Sequence, residues 1–402
     1  MLVMLVAATA YGARDTSRLQ IMTEVTGNAS GIGFVAVCFW VGLAIGGLLG
    51  GAVVDRFGSR GVLTSGVAMQ AVGSFAMAVL IVRNVQSVGP YGAVTLFDGI
   101  FTGACIPALA AMQAVMVPSD ARGSAEIISI LRLGVGAVAG ILLATASDRP
   151  LRTVIAIAMV MAVVAILVWV ITRPGSPSGA APPTRRRPGS RAARPVTRIA
   201  RTGEQDRVLQ TLRELPVLRR VVVADLVLCL VIPTQYANLL LADRREAGLV
   251  APTLIGGVAG VVVGRLVLTY TGSRGRVRES LLISDAAFVI LAFFGVGLLA
   301  TGVAFASPWI PAAVLFFGGA LNAYTQGLLA ALVQQQVPDD VRGRLTGALA
   351  AARSLIIAAG AALLTAVILP WSAVGATAFV AVAGLVALLA VRGFRGITAT
   401  AA

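Results

Sequence analysis

Gly51-Ala52-Val53-Val54-Asp55-Arg56-Phe57-Gly58-Ser59-Arg60 closes one long apolar run, 30–54, and leads into another, 61–82. A run of about 20 apolar residues is long enough to cross a bilayer as a helix. Ten more such runs fall at 1–24, 92–117, 124–147, 151–172, 219–242, 247–271, 279–303, 308–336, 344–369 and 372–391. In lipid an open sheet would leave backbone groups unpaired, so these runs read as helices. The expectation is an all-α membrane protein with twelve transmembrane helices.

Composition agrees. Of 402 residues, 58% are apolar and 12% charged, where soluble chains hold about 45–50% and about 25%. A water-soluble enzyme is excluded. Histidine is absent and all 32 basic residues are arginine, which removes imidazole metal ligands, Ser–His triads and histidine proton relays. Cys38, Cys105 and Cys229 lie far apart inside apolar runs and match no metal or redox spacing. No metal and no cofactor are expected.

The two halves of the chain echo each other. Leu96-Phe97, Val117-Pro118, Asp120, Arg122-Gly123 and Gly140 return 220 residues later as Phe316-Phe317, Val337-Pro338, Asp340, Arg342-Gly343 and Gly360. Gly58-Ser59-Arg60-Gly61 returns 214 residues later as Gly272-Ser273-Arg274-Gly275. Parallel repeats of this kind form two pseudo-symmetric six-helix bundles, with a substrate site near the bilayer midplane between them. The expected organisation is an N-terminal bundle, 1–172, an Arg/Pro-rich linker, 173–218, and a C-terminal bundle, 219–402.

The net charge of +15 is concentrated in that linker, where twelve arginines between Arg173 and Arg220 face three acids. A basic segment between apolar blocks marks the cytoplasmic side rather than a nucleic-acid interface. The loops on the linker's side hold 22 arginines and the opposite loops five. Both termini and the linker are therefore expected in the cytoplasm, with the protein multi-pass in the plasma (inner) membrane. Met1 stands almost inside the first span, as expected of a start placed too late.

The 51–60 segment resembles the loop 2–3 signature of the major facilitator superfamily: Gly, three residues, Asp, a basic residue, any residue, Gly, then basic residues. Val117-Pro118-Ser119-Asp120-Ala121-Arg122-Gly123 and Val337-Pro338-Asp339-Asp340-Val341-Arg342-Gly343 are similar to the loop 4–5 and 10–11 signatures of its bacterial drug and metabolite exporters. The resemblance covers essentially the whole chain and implies alternating access. It also implies a gating role for Gly51, Asp55, Arg56, Gly58, Arg60, Arg122 and Arg342. Asp55 would latch the outward-open state against the start of span 11, with Arg122 as a second partner. This chain departs from the pattern at Thr269 and Arg265, which replace the Asp and leading Gly of the second loop copy. Span 4 carries Asp98 where many members have arginine, and Gly134, Gly136 and Gly140 of span 5 occur without the antiporter proline.

Ionisable side chains inside a span cost several kcal/mol and face a bundle interior or a water-filled cavity. Arg14, Asp15 and Arg18 lie deep in span 1, Asp98 in span 4 and Arg132 in span 5. With no histidine, proton coupling must fall to a carboxylate, and Asp15 and Asp98 are the candidates. Arg14, Arg18 and Arg132 are candidate substrate ligands. So are Gln235, Tyr236 and Asn238 on span 7 and Asn322, Tyr324 and Gln326 on span 10, where amides orient a ligand and rings supply contact area. The alternative for Asp15 is a fixed ion pair holding span 1 to span 4 or 5.

The sequence reading is a monomeric secondary transporter whose partners are a small molecule, protons and the lipid bilayer. Proton-coupled efflux of a hydrophobic or amphipathic compound is the first expectation. Uptake of a small organic anion, and a non-transporting scaffold or sensor, are the alternatives.

Overall fold

The structure is a computed structural model. It describes residues 2–26, 29–116, 122–147, 150–171, 250–271, 315–320 and 339–363, with scattered positions within 219–229 and 309–327 and at 365 and 382. Seven helices have bounds among the described residues: α1 (Leu2–Thr26), α2 (Ala29–Val82), α3 (Val88–Met116), α4 (Arg122–Thr145), α5 (Pro150–Ile171), α6 (Val250–Thr271) and α7 (Asp339–Ala362). No strand occurs among the described residues.

The α2 helix contains two membrane-length arms, Gly31–Val54 and Arg56–Val82. Near the start of the second arm the helix is interrupted at Gly58, whose backbone sits at φ 78° and ψ 149°. A side chain there would clash with its own carbonyl, and glycine alone adopts this conformation without strain. The chain leaves α2 through a second device. Asn84, at φ 50°, follows the helix while Asn84 N donates to Ile81 O at 2.9 Å and Val85 N to Leu80 O at 3.1 Å. These are the paired bonds of a Schellman cap, which satisfy carbonyls that the helix end would leave bare.

Helix contacts follow small residues. In lipid no hydrophobic force drives helices together, so close backbone approach and van der Waals packing must hold them. Gly42, Gly46 and Gly50 of α2 lie against the backbone of α3 at Leu96, Ile100 and Ala104, and a Cβ on Gly50 would stand 2.9 Å from Ala104 Cα. Gly256, Gly260 and Gly264 of α6 meet the backbone at Ala312, Phe316 and Ala320 in the same way. Each of these three lies 214 residues beyond its counterpart in α2, so the loop echo continues as a repeated helix crossing.

Glycines also seat α1. Gly12 faces Ala137 of α4, while Gly136 and Gly140 of α4 face Ala8, Thr9 and Ala13. The span 5 glycines thus have a packing role: two receive α1, and Gly134 receives Val262 of α6. That last contact joins the two sequence repeats, as does α7 packed along α2. There, Gly33 lies under the side chain of Thr365, just beyond α7.

The outward faces are apolar. On α2, Val72, Phe75, Val79 and Val82 are exposed at helical spacing, and on α5 so are Ile155, Met159, Val163, Ile166 and Val170. Inside, two apolar clusters stack along α1. One includes Ala10 and Ala13 with Val67, Met161 and Val164. The other includes Ile21 and Met22 with Met77, Tyr91 and Val154. Between these clusters, near the middle of α1, lies a polar layer.

Candidate functional site

Arg14 and Arg18 are four residues apart on α1 and so project from one face of the helix. Both reach Asp98 on α3. Arg14 Nη1 donates to Asp98 Oδ1 at 2.9 Å and Arg18 Nη2 to Asp98 Oδ2 at 2.7 Å. Each carboxylate oxygen thus takes one guanidinium, at distances normal for charge-assisted bonds. The Asp98 side chain is 3% exposed, that of Arg14 7% and that of Arg18 12%.

A charge buried to this depth needs further partners, and neutral groups supply them. Gln70, buried on α2, accepts from Tyr11 and from Arg14 Nη1, the latter at 3.5 Å. Its amide nitrogen points to Cys105 Sγ at 3.9 Å. The Arg14 guanidinium lies over the Tyr11 ring, 4.6 Å from its centre, and that of Arg18 lies 5.4 Å from the Phe39 ring. Beside the two arginines is a cavity of about 20 Å³, lined also by Gly73, Ser74 and Met77. It is large enough for one water.

Asp15 behaves differently. Its side chain is 60% exposed although it sits halfway along α1. Its contacts to Arg14 Nε, at 3.4 Å, and Arg18 Nη1, at 3.8 Å, are long. Two arginines therefore share one tightly held carboxylate and one loosely held carboxylate. Ser17 Oγ and Arg18 Nε on α1, and Thr102 Oγ1 four residues beyond Asp98 on α3, are buried without a hydrogen-bond partner.

The structure brings together four of the residues expected from the sequence, Arg14, Asp15, Arg18 and Asp98. The ion pair that holds span 1 to span 4 runs through the arginines to Asp98, and Asp15 makes no ion pair with Arg132. Arg132 lies on α4 with Nε buried and unpartnered. Asn322 and Tyr324 are half-buried in helical backbone; Gln235, Tyr236, Asn238 and Gln326 lie outside the described residues.

Among the gating candidates, Gly51 is exposed in open space and Gly58 makes the turn. Arg56 is exposed, with its guanidinium 5.4 Å from the Phe57 ring. Arg60 Nη2 donates to Trp169 O of α5 at 2.8 Å, which satisfies a carbonyl in that helix's last turn. Asp55, Arg122 and Arg342 lie in helical backbone, and their side chains are outside the described residues.

Sequence reasoning missed Gln70 and Tyr11. The available signal was a lone glutamine inside the apolar 61–82 run, an amide that lipid would leave unsatisfied. A separate apolar groove of about 540 Å³ lies between Pro252 and Ile255 of α6 and Trp309, Ala312, Phe316 and Phe317.

Residues 1–361 match the family model described as Major Facilitator Superfamily. No curated protein sequence matches the chain. Solved structures do. A D-xylose-proton symporter superposes with a TM-score of 0.71 at 16% identity, covering 97% of this chain and 96% of that one. The nucleoside transporter NupG gives 0.69 at 13% identity, with 97% of each chain covered. The E. coli fucose:proton symporter FucP gives 0.60 at 15% identity, covering 98% and 96%.

Proposed function

Because this chain belongs to the Major Facilitator Superfamily and is a multi-pass secondary transporter with the family's twelve-helix fold, we propose that it couples movement of a small molecule to protons, with Asp15 as the proton-carrying group. One observation supports this above the others. Asp15 is an exposed carboxylate halfway along α1, held by two long contacts. A charge facing lipid halfway along a spanning helix would be strongly disfavoured, which supports the reading that Asp15 faces a water-filled path. Asp98 serves instead as the fixed counter-ion, since losing either arginine would strand a buried charge.

The proposal includes the two bundles, 1–172 and 219–402, joined by the 173–218 linker, with both termini in the cytoplasm. Gating is assigned to the loop signatures containing Asp55, Arg122 and Arg342. Export of a hydrophobic or amphipathic compound draws on the Arg-Gly loops at 117–123 and 337–343. The second reading, uptake of an organic anion, is favoured by the site itself, where arginines outnumber tightly held acids.

Reconstitution tests the coupling role. A labelled panel is screened for any compound that wild-type proteoliposomes accumulate under an imposed pH difference. Asp15→Asn should retain exchange of that compound at equilibrium and lose accumulation against its gradient. Uphill accumulation by Asp15→Asn would remove Asp15 from the coupling step.

A further inference from the structure

We infer that the substrate is an amphipathic carboxylate, which takes the place of Asp15 on Arg14 and Arg18 when Asp15 is protonated. This rests on the reading of Asp15 as the proton carrier, takes the uptake reading over export, and adds the substrate's chemistry.

The argument is one of charge. Arg14 and Arg18 bring two positive charges, and Asp98 cancels one through bonds of 2.9 and 2.7 Å. The second positive charge is covered only by Asp15, at 3.4 and 3.8 Å. Those lengths exceed the roughly 2.7–2.9 Å of a good charge-assisted bond, so Asp15 is the partner that can be displaced. A proton on Asp15 leaves the cluster with one uncompensated positive charge.

Donors for an incoming anion are already in place. Arg18 Nε is buried without a partner, Arg18 Nη1 would be released by Asp15, and Arg14 Nε likewise. A guanidinium presents its donors in a planar fork that fits a carboxylate. The rings of Tyr11 and Phe39 flank the same two guanidinia and favour an acid with an apolar body. A cationic or neutral ligand would find no such complement.

No other charge competes for Asp15 among the described residues. Its ion pairs are with Arg14 and Arg18 alone, and Asp98 answers them from α3. The α2 helix contributes the neutral Gln70. On α4 and α5, Arg132 and Arg152 make no ion pair with Asp15. Proton and anion therefore bind to the same state, each raising the other's affinity by the same factor. The two travel together, so an inward proton gradient drives uptake.

Benzoate and its neutral isostere benzamide are suitable probes, read as thermal stabilisation of the purified full chain in detergent. Wild-type protein should require about fivefold or more benzoate for half-maximal stabilisation at neutral than at mildly acidic pH. Asp15→Asn should be stabilised equally at both, because the positive charge is permanently uncovered. Arg18→Gln should lose the effect. Arg18→Lys, which keeps the charge against Asp98 and a folded protein, should weaken it. Equal stabilisation by benzamide, or no benzoate effect in Asp15→Asn, would overturn the inference. A failed coupling role is distinguished by its own readout: Asp15→Asn would then pump uphill whatever benzoate does.

Discussion

Replacing Asp98 by asparagine would keep the side chain's shape and remove the charge that Arg14 and Arg18 share. Breaking a buried pair by removing one partner costs about 3–5 kcal/mol. Asp98→Asn should therefore lower the detergent thermal midpoint and the folded yield sharply. Gln70→Leu leaves Tyr11 and one Arg14 bond without their acceptor, an effect of about 1–3 kcal/mol. The expected ranking is Asp98→Asn well below Gln70→Leu, with Asp15→Asn close to wild type because Asp15 is exposed and weakly paired. A thermal midpoint for Asp15→Asn as low as that of Asp98→Asn would contradict the division of roles. The sequence singled out all four ionisable residues because lipid makes each expensive. Their pairing was not legible: Arg14 and Asp98 are 84 positions apart, and no local pattern links them.

Between helices, the control is steric. Gly46 and Gly260 occupy equivalent crossings, where a Cβ would lie 2.7 Å from the Ile100 carbonyl carbon and 2.6 Å from that of Phe316. Gly47, the next residue along, has nothing within 4 Å. Gly46→Ala and Gly260→Ala should each destabilise by about 1–3 kcal/mol as packed helices are forced apart. Gly47→Ala should be neutral by the same thermal measurement. An equal effect at all three positions would mean that composition, and not the crossing, sets stability. Helix existence was readable from run length alone. The turn at Gly58 was readable as a loop signature, but not its backbone angles. The glycines of span 5 looked like an antiporter motif minus its proline; in the structure they are the seats of α1 and of Val262.

For the molecule as a whole, the contacts between repeats define what must part during transport. Gly33 and Thr365 touch across that boundary. Cysteines placed there, Gly33→Cys with Thr365→Cys, should cross-link under mild oxidation and arrest transport, and reduction should restore it. Efficient cross-linking with full transport would show that this contact is not part of the alternating movement. Internal repetition made the two-bundle plan visible in advance, since both displacements could be counted. Which span of one repeat meets which span of the other could not be counted, because it depends on shape complementarity between distant small residues.

The central ion pair also bears on biogenesis. Synthesis runs from the N-terminus, so α1 reaches the insertion machinery before α3, carrying Arg14, Asp15 and Arg18. Each such residue at a helix centre adds about 2.5–3.5 kcal/mol to the free energy of entering the bilayer. The carboxylate that both arginines share emerges only with α3, 84 residues after Arg14. Until then α1 lacks the partner that makes its burial favourable. Its stable integration is thus tied to the arrival of a later segment.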